Sequence, residues 1–176
     1  MANLPPSHYP DIGSLGEDLV AQWLQSTGWL ILHRRFSSRW GEIDIIAEYA
    51  RNAEEAGEQG SKGTVGQLST QHSLLAFVEV KTRSSGSWDT GGRSAITPQK
   101  QAKIWRTAEI FLAQYPEKAD YSCRFDVAIV YCQRISKNLT GITANQEALA
   151  TLSVPGYKFK LQEYILAAFD SSIDNG

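Results

Sequence analysis

Apolar positions along the chain follow two different periods. Between Ser14 and Ser26, Leu15, Leu19, Trp23 and Leu24 recur at three- and four-residue spacing, which predicts an amphipathic helix. Ser14, with Glu17 three residues on, has the form of a capping box, and Gly28 ends the helix. Beyond it the apolar runs shorten. Trp29–Phe36, Ile43–Tyr49 and Leu74–Thr82 are rich in Ile, Leu and Val and predict strands, the last of them (LLAFVEVKT) most clearly. Thr97-Pro98 reads as an N-cap followed by proline at the first helical position. It opens a helix that runs to about Tyr115 and stops at Pro116. Arg124–Cys132 is another strand. Residues 135–156 are ambiguous, a short helix near Ala148 in an otherwise irregular stretch, and Tyr157–Phe169 gives a last strand or a strand ending in a helical turn.

The order is therefore αβββαβ with a β tail. Short links allow the first three strands to pair antiparallel, and the helix at 97–115 is long enough to cross over and set the fourth strand parallel to the third. The expected fold class is α/β, a mixed central sheet flanked by helices. Residues 13–170 form one expected domain, after a Pro-rich, loose arm at 1–12. Residues 50–72 (ARNAEEAGEQGSKGTVGQLSTQH) lose all periodicity and read as a disordered insertion between two strands. Such an insertion leaves the pairing intact, because loop closure costs only ~0.6 kcal/mol more per doubling of length.

Composition adds bounds. At 176 residues, 42% hydrophobic and 20% charged, the chain resembles an ordinary globular domain. No apolar run approaches the roughly 20 residues needed to cross a bilayer, and the N-terminus lacks a secretory pattern, so the expected location is cytoplasmic, away from membranes. The two cysteines, Cys123 and Cys132, fall near opposite ends of one strand, on the order of 30 Å apart, too far for a disulfide and without zinc-site spacing. They read as buried small apolar residues. Net charge is −2, which argues against a uniformly basic surface. Charge is nevertheless uneven: residues 81–106 hold six cations and one acid, and Arg34, Arg35 and Arg39 cluster upstream. Arg34, Arg35, Arg83, Lys100, Lys103 and Arg106 are the candidates for phosphate contact.

The chemistry centres on LLAFVEVKT. Its residues are apolar on both faces, as in a central strand, yet it carries Glu79 and Lys81, which period two places on one face. Asp44 raises the same question among Ile43, Ile45 and Ile46. Burying such groups is costly unless they are paired, hydrated or metal-bound. Oxygen ligands suit Mg²⁺ or Mn²⁺, so Asp44 and Glu79, with the backbone carbonyl of Val80, form a candidate metal set, and Lys81 is placed to orient a water and balance charge on a phosphate. The plainer alternative is a Glu–Lys pair reaching solvent at a strand end.

Asp44…Glu79-Val80-Lys81, on the second and third strands after an opening helix, resembles the PD-(D/E)xK superfamily of restriction-endonuclease-like nucleases. The strings GEDLVAQWL (16–24), GEIDIIA (41–47), FVEVKTR (77–83), ITPQKQ (96–101) and RFDVAIV (124–130) look closer still to the YraN-like bacterial family. Ile43-Asp44 stands where the superfamily pattern has Pro-Asp. The resemblance implies a restriction-endonuclease-like core, a Mg²⁺ or Mn²⁺ cofactor and a DNA substrate. It also implies further roles. Glu17 matches an acid on the first helix of Holliday-junction-resolvase-like members that helps hold the metal, and the alternative is a capping-box acid. Lys100 and Gln101 match polar residues facing the site, and the alternative is a solvated helix start. Asp126 reads as structural, paired with Arg124 or a loop amide.

Remaining signals are weaker. His8, His33 and His72 are scattered. Gly91-Gly92-Arg93-Ser94 lacks P-loop spacing. Trp40 and Trp88 either stack on bases or pack at a core edge. The leading functional expectation is a metal-dependent endonuclease acting on DNA in repair or recombination. A non-catalytic nucleic-acid-binding module is the alternative, and a protein-interaction scaffold a third class. Oligomeric state is left open.

Overall fold

The computed structural model describes residues 11–50, 73–84, 96–136 and 147–170. The chain begins with helix α1 (Ile12–Ser26), continues through strands β1 (Leu30–Ser38), β2 (Gly41–Tyr49) and β3 (Leu74–Ser84), and crosses over through helix α2 (Pro98–Gln114) and a 3₁₀ turn (Pro116–Lys118). Strands β4 (Ser122–Arg134), β5 (Ala150–Val154) and β6 (Tyr157–Ile165) follow. They form one six-stranded sheet in the order β1-β2-β3-β4-β6-β5. The β1–β2 and β2–β3 pairs are antiparallel and β3–β4 is parallel, as the crossover helix requires.

Each helix covers one face. Leu19, Val20 and Leu24 of α1 pack on Ile45, Val78, Val130 and Phe159. Ile104, Ala108 and Phe111 of α2 pack on Ile46, Phe77, Phe125 and Val127 on the other side. A sheet covered on both faces explains why β3 and β4 read as near-continuous apolar runs.

Several expectations need correction. Helix α1 starts earlier than Ser14. Asp11 is its N-cap, and its carboxylate accepts the Ser14 N–H at 3.2 Å, so Ser14 caps nothing and no capping box forms. Asp11 and Ile12, expected in the arm, thus belong to the start of the helix; residues 1–10 lie outside the described residues, as do 51–72 of the expected insertion. No helix forms at the described residues around Ala148; strand β5 begins at Ala150 instead. Its alternation explains this: Ala150, Leu152 and Val154 pack on the α1-side core while Thr151 and Ser153 are exposed. Both cysteines are free, but only Cys132 is buried. Cys123 is exposed because it lies one residue into β4, before the covered part of the strand.

Candidate active site

The site lies where β2 and β3 part. Their ladder pairs Tyr49↔Leu74 through Ile45↔Val78 and then ends, although β2 runs back to Gly41 and β3 on to Ser84. Asp44 is the first β2 residue past the last pair, and Glu79 the first on β3.

A crease at this point produces the separation. The pairing keeps its register from Arg34↔Ile45 to Phe36↔Ile43, with a shift further back between Ile31 and His33, yet the chains twist between those two pairs. Arg35 has φ +52°, the left-handed region that costs a non-glycine residue roughly 1–2 kcal/mol. On β2, Ile43 and Ile45 are two residues apart yet belong to opposite cores. Asp44 thus leaves the pleat and points within the sheet plane toward β3, where its Oδ2 accepts the Val80 N–H at 2.7 Å. Its carboxylate takes the place a β2 carbonyl would occupy in a continuing ladder.

Glu79 lies on the α2 side, one pleat beyond Phe77, and is 5% exposed. Its Oε1 accepts from Lys81 Nζ at 2.9 Å and lies 3.4 Å from Lys100 Nζ at the start of α2. Thr97 caps that helix by accepting the Lys100 N–H, which fixes the turn that delivers Lys100. Glu79 Oε2 is buried with no hydrogen-bond partner. Asp44 is strained as well. Burial first, then the negative charge of Glu79, push its carboxyl from 3.8 up to about 7, against the Val80 hydrogen bond that lowers it.

Glu17 approaches from the α1 side. Gly16 lets the helix lie directly on β3, since a Cβ there would overlap the Thr82 hydroxyl. That contact brings Glu17 close enough for its charge to raise Asp44. Glu17 completes no capping box; it accepts from Arg35 Nε at 2.9 Å and lies 3.6 Å from Arg34. Arg34 also binds Asp18 at 2.9 Å. Both arginines, expected on phosphate, are thus held by acids of α1.

The other candidates divide. Lys100 reaches the site, but the Gln101 amide turns away and donates to the Ile96 carbonyl at 3.1 Å. Val80 enters through its N–H to Asp44. Arg83 follows Lys81 on the same face of β3, partly buried. Lys103 packs beside Gly41, and Arg106 stacks on Trp40 at 4.4 Å with Arg39 at 4.9 Å, so the indole is covered by guanidinium groups at the β1–β2 turn. Trp88 and Arg93 lie outside the described residues. His33 belongs to the α2-side aromatic layer, hydrogen-bonded to Tyr115. Asp126, fully buried, accepts from Arg124, Tyr164 Oη and the Ala167 N–H, a structural role as expected. Sequence reasoning gave no role to Gly16, although a glycine inside a helix is itself a signal of close approach.

A divalent cation fits the seam. Asp44 and Glu79 are hard oxygen donors, Glu79 with a buried unpartnered oxygen and Asp44 held unfavourably charged, which is donor chemistry that suits such an ion. No cluster of three His, Cys, Asp or Glu side chains suited to a metal occurs among the described residues, so the protein donor set is small. No helix among the described residues is long and apolar enough to cross a membrane.

Comparison with known proteins gives one consistent answer. A relative from Trichormus variabilis is 60% identical over 93% of this chain and 97% of its own length, and carries the name UPF0102 protein. UPF0102 proteins from Trichodesmium erythraeum and Synechocystis sp. are 44% and 39% identical, each covering at least 90% of both chains. The model of uncharacterised protein family UPF0102 matches residues 16–130, a span that runs from the Gly16 contact through the β2–β3 seam to β4, and the chain belongs to that family.

Proposed function

We propose that the protein is a metal-dependent nuclease that hydrolyses phosphodiester bonds in DNA at the β2–β3 seam. The observation that carries this reading is Glu79: its Oε2 is buried and unpartnered while Lys81 and Lys100 hold Oε1, beside an Asp44 carboxyl raised to about 7. Buried side-chain oxygens are normally hydrogen-bonded, and Glu79 Oε2 is one of two among the described residues that are not, the other being Thr82 Oγ1. The resemblance of Asp44…Glu79-Val80-Lys81 to the PD-(D/E)xK pattern supports the same reading.

The roles follow from position. Asp44 and Glu79 would hold Mg²⁺ or Mn²⁺. Such an ion supplies Lewis-acid polarisation of the phosphodiester and offsets the charge that builds on it. Val80 fixes the Asp44 carboxyl in the sheet plane. Lys81 gives one N–H to Glu79 and retains two donors to orient a water and to stabilise charge on the phosphoryl oxygens. Lys100, from the opposite wall, adds a second positive charge beside the phosphate. Glu17 holds Arg35 and Arg34 at the α1 mouth of the seam, which keeps their net charge low there.

The test is cleavage of linear, nicked, flapped and four-way DNA with Mn²⁺ by the wild type, Lys81→Ala and Asp44→Ala/Glu79→Ala, with Mn²⁺ binding followed by calorimetry. Lys81→Ala is expected to fold, bind metal and lose cleavage by a factor of 10² or more. Wild-type rates in Lys81→Ala, or metal binding retained by the double variant, would overturn the assignment.

A further inference from the structure

Among the described residues, no helix covers the part of the α2 side of the sheet beyond Ile129. The apolar layer there ends at Ile129 and Ile165. Beyond Ile129 the same face of β4 shows Tyr131, 38% exposed although β4 is an interior strand. Strand registers place Arg83, Tyr131, Lys160 and Thr151 side by side in one row across β3, β4, β6 and β5. The next row holds Gln133, Lys158 and Ser153.

Face assignments follow from the cores. Cys132, Phe159 and Leu161 lie in the α1-side core, so their neighbours Tyr131, Lys158 and Lys160 face the other way. This is also the face of Glu79 and Lys81, two and one pleats before Arg83 on β3. Neither Lys158 nor Lys160 has an ion-pair partner among the described residues. Glu163, opposite Ile129, is an acid on this surface and lies on the site side of the row.

We propose that this face is a track for single-stranded nucleic acid. A strand whose scissile phosphate sits at Glu79 and Lys81 runs across β3, β4 and β6, with phosphates on Lys160 and Lys158 and a base stacked on Tyr131. This rests on the nuclease reading of the same seam and specifies its substrate. The chemistry is selective: an exposed aromatic among cations stacks unpaired bases, whereas a duplex hides its base faces. Lys160 lies two strands across and four residues along from Glu79, roughly 16 Å at ~4.8 Å per strand and ~3.3 Å per residue. At ~3.4 Å per nucleotide, the rise of a fully stacked strand and so the shortest spacing, the track accommodates at most about five nucleotides beyond the cut.

The experiment is fluorescence anisotropy in EDTA, where nothing is cut, using labelled DNA duplexes with single-stranded tails of zero to ten nucleotides in both polarities. Wild-type affinity is expected to rise with tail length for one polarity and level off at about five or fewer. Tyr131→Ala should weaken tailed binding roughly tenfold while Tyr131→Phe keeps it. Lys158→Ala/Lys160→Ala should lower the slope of log affinity against log salt by about 1.4. Affinity independent of the tail, wild-type binding by these variants, or equal competition by polyglutamate overturns the proposal. Cleavage is scored separately with Mn²⁺. Tail-dependent binding without cleavage keeps the track and removes the nuclease, and cleavage with tail-independent binding does the reverse.

Discussion

Asp44→Asn should make the protein more stable above neutral pH while removing the proposed chemistry. Asparagine is nearly isosteric, and its amide oxygen still accepts the Val80 N–H that Asp44 Oδ2 takes at 2.7 Å. What disappears is a charge in an unfavourable place. In the folded protein the carboxyl titrates at about 7 instead of 3.8, because burial and Glu79 both oppose its ionisation. Between those two values the native state binds more protons than the unfolded chain. Stability from this group is therefore full below about pH 4 and falls as pH rises through 7. A little over three pH units at ~1.4 kcal/mol each sets a ceiling of ~4 kcal/mol. Partial solvent access and sharing of the repulsion with Glu79 reduce this to roughly 2–3 kcal/mol. Urea unfolding of both proteins in EDTA at pH 4.5 and pH 8 measures it. Groups away from Asp44 titrate alike in both and cancel, so the variant's advantage should be small at pH 4.5 and on the order of 2–3 kcal/mol at pH 8. Adding Mn²⁺ at pH 8 should stabilise the wild type and leave Asp44→Asn unchanged. A variant less stable than wild type at pH 8, or an advantage that does not change with pH, would refute the reasoning.

Two further substitutions test the scaffold. Gly16→Ala, which in an open helix position would gain about 1 kcal/mol, should instead cost 1–3 kcal/mol in thermal or urea unfolding, because the new Cβ meets the Thr82 hydroxyl; adding Thr82→Ala should restore part of the loss. Asp126→Ala should cost roughly 3–5 kcal/mol by urea unfolding, because it leaves the Arg124 guanidinium, the Tyr164 hydroxyl and the Ala167 N–H without their shared acceptor.

The strands and α2 were legible because their signals are local. LLAFVEVKT is a regular strand, so period two correctly placed Glu79 and Lys81 together, and Thr97-Pro98 marked the start of α2 within a residue. Cap choice was harder, since Asp11 and Ser14 are both good N-caps. Asp11 prevails because starting there brings Ile12 against the core with Leu15. The crease at Arg35 and Asp44 had no local signal at all. Alternation predicts Ile43 and Ile45 on one face, and only the divergence of β2 from β3 puts them on two. The same limit applies to Arg34 and Arg35: a basic pair in sequence looks free, and its acids lie 16 to 18 residues away on α1. Strand β5 was readable in retrospect from the alternation of ATLSV, but five residues in a polar stretch carry little weight against a helix-forming Ala148 neighbourhood.

Charge compensation around the seam is unequal, and the inequality bears on function. Glu17 is held by Arg35 and Arg34, and Glu79 by Lys81 and Lys100. Asp44 has no cation within ion-pair distance among the described residues; its partner is a backbone amide, and it feels both other acids, with Lys100 offsetting them only in part. Sheet geometry alone needs only a neutral acceptor for the Val80 N–H, which asparagine or threonine could supply without the cost. The left-handed Arg35 next to it adds a second local cost, set against its two hydrogen bonds to the Glu17 carboxylate. Two unfavourable features at neighbouring points of the β1–β2 pair, close in sequence register to Glu79, are the pattern expected where a fold gives up stability to hold a ligand. A divalent cation at the seam would turn the least compensated carboxylate into the best compensated one.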